Sequence, residues 1–173
     1  MANSVEQIAT KAAGTVKAVT AGFKGLRGVF LHLAEEHGEL AALMKRVSKS
    51  SDAQVRRDHF PHIRAELLSH EKAELAEVYG LLANYEQLRG VALKHNEQAH
   101  ALEKAIAEVD AQNYASEEWG ARFERLFLLV QAHVEEEENE FFPKAQEVVD
   151  EDDSKQILKR YEAAKKSVMQ FVT

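Results

Sequence analysis

Apolar residues return every three or four positions along most of the chain, and no stretch alternates apolar and polar residues over a strand's length. That period lines them up on one side of an α-helix, so the pattern predicts an all-helical protein. The first core helix is marked by Leu26, Phe30, Leu33, Leu40, Met44 and Val47. It ends in Ser48-Lys49-Ser50-Ser51-Asp52, a polar stretch that also offers an N-cap to the helix after it. The second helix is predicted over residues 53–84, bent at Pro61, where an internal hydrogen bond is lost. The third is predicted over residues 87–109, with Leu88, Val91, Leu102, Ile106 and Val109 as its stripe. A loop over residues 110–116 brings Ser116 to the start of the fourth, which carries Phe123, Leu126, Leu129 and Val130 and reaches Phe142-Pro143.

Four such helices on short loops are expected to pack up-down-up-down as a bundle. The expected organisation is an amphipathic helical extension over residues 1–25, the bundle over 26–149, and a C-terminal amphipathic helix packed on it over 150–173. Gly14, Gly22, Gly25 and Gly28 count against one continuous helix in the N-terminal extension.

Composition narrows the chemistry. The chain has 173 residues, enough for one domain with a full core. Its 22 Lys+Arg against 29 Asp+Glu leave a net charge of −7, which counts against nucleic acid as a partner. There is no cysteine, so disulfide scaffolds, thiolate metal sites and Cys nucleophiles are all excluded. No apolar run approaches the ~20 residues of a membrane span, and no secretory signal pattern is visible, so the cytoplasm is the expected location. Eight histidines stand in this cysteine-free chain, and histidine is the commonest metal ligand.

Two of them stand four residues before a glutamate in an internal repeat. At an offset of 63 residues, Phe60 matches Phe123, Ile63 matches Leu126, His70 matches His133, Glu74 matches Glu137 and Tyr79 matches Phe142. The second and fourth helices therefore both carry His-x-x-x-Glu, as His70/Glu74 and His133/Glu137. A spacing of four puts imidazole and carboxylate on one helix face, one turn apart, where both can reach one metal or the carboxylate can bridge two. A lone pair of this kind is ordinarily a surface ion pair. Two copies beside apolar stripes are different, because burying four polar groups without a partner costs several kcal/mol, a penalty that a cation removes.

The remaining ligands are expected on the first and third helices, where the offset of 63 would pair His32 with His95 and His37 with His100. Helical phase selects differently. At about 100° per residue, His37 falls within roughly 50° of its helix's apolar stripe and His32 lies nearly perpendicular to it. His95 is central to its own stripe, and His100 is about 140° away. His37 and His95 are therefore the expected ligands, with His32 and His100 in reserve. His59 and His62, on either side of Pro61, are expected at the surface or at the kink. In the acidic run from Glu135 to Glu138, Glu137 is in phase with His133, Glu136 is the fallback, and the rest is expected to be a solvated face.

The succession His37, His70-x-x-x-Glu74, His95, His133-x-x-x-Glu137 resembles the hemerythrin-like, or HHE cation-binding, family. Glu35-Glu36-His37, the segment from His133 to Pro143 and the duplicated helix pair support the resemblance, which covers about residues 26–146. It implies an up-down-up-down bundle around two irons bridged by carboxylates and by an oxo or hydroxo group, though another divalent cation would fit the same set. Glu74 and Glu137 match the bridging carboxylates and the four histidines match terminal ligands. The chain departs from the oxygen-carrying members at one point. Four residues after His95, where they carry a second histidine, stands Ala99. One ligand is thus expected to be missing, leaving an open position or one filled by His100 or water.

The expected function is that of a non-haem di-iron protein that binds, senses or reduces a small oxidant such as oxygen, peroxide or nitric oxide, for which mixed nitrogen and oxygen ligation is suited. Any turnover would need a proton donor, and Tyr79 and Tyr85 are the tyrosines near in sequence. A ferritin-like iron oxidase or store is the alternative, but it requires two Glu-x-x-His motifs, and only Glu97-Gln98-Ala99-His100 has that form. A structural or interaction bundle, with another cation or none, is the third reading.

Overall fold

The structure, a computed structural model, describes residues 25–172. Those residues form five helices and, among the described residues, no strand. α1 is Gly28–Ser48. α2 runs as Ala53–Glu74, passes through a π-helical turn at Leu75–Tyr79 and resumes over Gly80–Leu82. α3 is Glu86–Asp110. α4 runs as Glu117–Glu136, passes through a second π turn at Glu137–Phe141 and closes with Phe142–Ala145. α5 is Glu151–Val172. The all-helical bundle expected from the apolar period is the fold observed. The expected N-terminal extension lies, apart from Gly25, outside the described residues.

Helix ends sit where their capping chemistry puts them. Asp52 accepts the amide of Gln54 at 2.8 Å to start α2, and Ser116 accepts that of Trp119 at 3.1 Å to start α4. α2 continues through Pro61 as one helix, and its departure from α geometry comes instead at the π turn. The start of α1 is capped from far along the chain, with the Val29 amide donating to Ser154 Oγ of α5 at 3.0 Å. At the other end of the bundle the buried Arg56 guanidinium donates to Ser50 O, Tyr114 O and Ser116 O and lies 4.8 Å over the Trp119 ring. One side chain thus ties the α1–α2 and α3–α4 loops together.

The interior is two apolar cores rather than one. One gathers Val29, Phe30 and Leu33 of α1 with Val78, Leu82, Leu88, Phe141, Phe142 and Ile157. The other gathers Met44 and Val47 of α1 with Phe60, Ile63, Ile106, Trp119, Phe123 and Leu126. Along α1 and α3 the chain meets the first core and then the second, and along α2 and α4 it meets them in reverse order, as antiparallel neighbours must. α5 lies against α2 and α1, burying Ile157 and Tyr161. Between the two cores each of the four bundle helices presents buried polar residues: His37, then His70, Glu71 and Glu74, then His95, then His133, Glu137 and Glu138.

Candidate metal centre

The four expected histidines and two expected glutamates all converge in this polar layer. His37, His70, His95 and His133 are between 2% and 7% exposed, Glu74 is fully buried and Glu137 is 2% exposed. Their donor atoms form two groups able to hold a cation, one of His37, His70 and Glu74 and the other of Glu71, Glu74, His95 and His133. Glu74 belongs to both, as a bridging carboxylate would. Glu137 stands among the imidazoles, with Oε2 at 3.4 Å from His37 Nε2 and 3.5 Å from His133 Nε2, and Oε1 at 3.3 Å from His95 Nδ1.

Many of these donors face the interior of the layer without a hydrogen bond of ordinary geometry. Both oxygens of Glu74, both ring nitrogens of His95 and of His133, Glu71 Oε1 and Glu137 Oε2 are buried without a hydrogen-bond partner. Orphaned buried polar atoms are rare in folded proteins and call for an explanation such as a bound ion. On the other side, the His37 and His70 Nε2 atoms approach to 3.1 Å. Each ring can donate its Nδ1 proton to a carboxylate, His37 to Glu138 at 3.1 Å and His70 to Glu36 at 2.9 Å. With those protons placed, the two Nε2 atoms share one position between them, which a proton or a metal cation can fill.

Electrostatics tell the same story. Burial opposes charge on His70, but the carboxylates of Glu74 and Glu36 hold its pKa well above the ordinary histidine value. Burial likewise works to raise the Glu74 pKa, yet His70, His95 and His37 bring it down to about 2. Glu137 is pushed up to about 8, by burial first and by the neighbouring Glu74 charge second. A layer that holds an ionised Glu74 and keeps protons on His70 and Glu137 is one that attracts cations.

Beside His95 the structure places a donor that the sequence reading did not name. Ala99 is buried and offers no ligand, but Glu71 of α2 brings its Oε1 to 2.8 Å from His95 Nε2 and its Oε2 to 3.5 Å from His133 Nε2. A carboxylate from the neighbouring helix therefore stands where no donor was expected. His100, offered as a substitute, has a side chain 72% exposed and pairs only loosely with Glu103. His32 is partly exposed and touches Glu36 at 3.4 Å, outside the layer. Glu136, the fallback for Glu137, is held at the surface by Lys94 and Gln98. His59 is also corrected: it is buried, because a spacing of four sets it on the same α2 face as Ile63 and Leu67. His62 is exposed as expected, and so are Glu97 and His100, which removes the one ferritin-type motif from the interior.

Aromatic rings wall the layer on the side of the first core. Tyr79 stacks on His95 with ring centres 3.5 Å apart, Phe141 stacks on Tyr79 at 4.3 Å, and Phe142 lies parallel to His37 at 5.9 Å. The Tyr79 hydroxyl donates to Glu137 Oε1 at 2.5 Å. Burial and then the charges of Glu137 and Glu74 raise its pKa well above that of free tyrosine, so the phenol keeps its proton. Tyr85 is at the surface and takes no part.

A family model for the hemerythrin HHE cation-binding domain matches residues 30–145, more than half of the chain, and the protein belongs to that family. No curated protein and no solved structure matches the chain. Among the described residues, no helix is long and apolar enough to cross a membrane.

Proposed function

We propose that the chain holds two iron ions in the polar layer and uses them to bind or reduce a small oxidant: oxygen, peroxide or nitric oxide. One ion is assigned to His37, His70 and Glu74, the other to Glu71, His95 and His133, with Glu74 and Glu137 shared. The observation that carries this reading is the pair of overlapping donor groups joined at Glu74, with both Glu74 oxygens and the ring nitrogens of His95 and His133 lacking a hydrogen-bond partner. Imidazole and carboxylate in this proportion suit iron, and other divalent cations fit less specifically. Iron, when bound, supplies the one-electron chemistry that a small oxidant needs and that no side chain here provides.

The chain's own residues do the rest. Ligands exposed by 7% or less keep bulk water away from the ions. Tyr79 holds a proton at Glu137 Oε1, within the layer. Carriage, sensing and reduction share this set of side chains.

Metal analysis with the ultraviolet–visible spectrum of aerobically purified protein tests the assignment. Two irons per chain with near-ultraviolet oxo-to-iron bands are expected. Colourless, iron-free protein after iron-replete expression would sink the reading, and two equivalents of another metal would replace iron by that metal. His95→Ala is expected to lose metal and His100→Ala to keep it.

A further inference from the structure

α5 lies beyond the segment that matches the family, yet it reaches the rim of the metal centre. Tyr161, fully buried, donates its hydroxyl to Glu36 Oε2 at 2.5 Å and stands 2.8 Å from His70 Nδ1. One turn on, Lys165 bonds Glu36 Oε1 at 2.8 Å and Glu66 Oε2 at 3.0 Å. Glu36 is therefore divided between two tasks. Its Oε2 accepts from His70 Nδ1, while its Oε1 is anchored by Lys165 and approached by His32. The Tyr161 ring also meets the His70 ring edge-on, at 5.9 Å and 84°.

A ligating imidazole is free to rotate about its bond to Cβ unless its second nitrogen is held. The partner of that nitrogen fixes ring orientation and tautomer, and losing such a partner typically costs about 10–100-fold in metal affinity. His37 takes its partner, Glu138, from α4. The ring nitrogens of His95 and His133 make no hydrogen bond of ordinary geometry, and the carboxylate of Glu71 beside them comes from α2. Among the four histidines, His70 is the one whose orientation is traced to α5.

We infer that α5 is a working part of the metal centre: Tyr161 and Lys165 hold Glu36, Glu36 holds the His70 ring, and the ion at His37, His70 and Glu74 depends on that chain of contacts. The ion at Glu71, His95 and His133 does not. Tyr161, Lys165 and Glu36 are positioning residues in this scheme. The inference rests on the two-ion reading above, and the experiment separates the two.

Metal-free full-length protein is titrated anaerobically with Fe²⁺, in wild type and in Glu36→Gln, Tyr161→Phe and Lys165→Met. Wild type is expected to take up two equivalents. Each variant is expected to keep one at wild-type affinity and to hold the other roughly 10–100-fold more weakly, with Glu36→Gln the most affected. The rise in melting temperature on adding metal is read alongside. A merely structural Tyr161 would lower the metal-free and loaded melting points together, whereas a positioning Tyr161 shrinks the difference between them. Lys165→Met, at the rim, gives the same reading should Tyr161→Phe fold poorly. Two equivalents bound at wild-type affinity in every variant, or both weakened together, overturn the inference alone. A wild type that takes up fewer than two equivalents overturns the two-ion reading and the inference with it.

Discussion

Gly28 sits at φ 57°, and a Cβ added to it would stand 2.1 Å from Ser154 Oγ. That oxygen is the acceptor for the Val29 amide, so the glycine makes room for the group that caps α1 and docks α5. Gly28→Ala should therefore destabilise the protein by at least about 1–3 kcal/mol, the ordinary cost of a side chain in the left-handed region, with the clash added. Denaturant unfolding measures it, and a change under 0.5 kcal/mol would show that the close approach is not needed. Single residues are also where the sequence was most and least readable. Helical phase separated His95 from His100 and His37 from His32 because all four lie on regular helix. It did not find Glu71, one residue past His70 and so about 100° round the helix. At the polar layer the helices enclose a wider angle than a core stripe does, and a long glutamate reaches in from its edge. Glu36, next to His37, escaped for the same reason. The Glu36–Tyr161 contact spans 125 positions and has no sequence period to reveal it.

At the scale of elements, both helices that carry His-x-x-x-Glu open into a π turn directly beyond or at the glutamate of that motif, over Leu75–Tyr79 and Glu137–Phe141. Such a turn is one extra residue carried inside a helix, and it commonly marks a functional site. Here it turns two successive glutamates inward. Glu137 lies among the imidazoles while Glu138 holds His37. Helix limits and caps were legible from period and polar punctuation to within a few residues. The π turns were not, since the apolar spacing on either side is that of an ordinary helix. Deleting the exposed Asn139 should restore α-helical bonding across the turn and leave the flanking faces in register. Circular dichroism is then expected to remain helical while bound metal falls to one equivalent or none. A deletion variant that retains two equivalents would show that the extra residue is dispensable for the site.

For the whole molecule, the antiparallel order and the fifth helix could be anticipated from loop lengths and an amphipathic tail. The division of the interior into two cores could not, because the apolar stripes run on through the ligand positions. Val29 to Leu33 and Met44 to Val47 belong to different cores of one helix, with His37 between them. Without a cation the layer between the cores buries several donors that have no hydrogen-bond partner, which burial penalises. Binding should therefore show strongly in stability. At free metal a hundred times the dissociation constant, each ion adds about 2.7 kcal/mol, on the order of 5–10 °C in melting temperature for a chain of this size. Calorimetry with and without chelator measures this, and coincident transitions would contradict it.

The layered interior also bears on how the molecule opens from moment to moment. Stability need not be uniform along a helix, and contiguous packed units open independently when little holds them together. In the metal-free chain, amide hydrogens facing the Phe30–Phe142 core and those facing the Phe60–Trp119 core would exchange as two populations, each at its own rate. Cations gripped by four helices at once would join those populations into one, so that the slowest amides at both ends of the bundle share a single opening event.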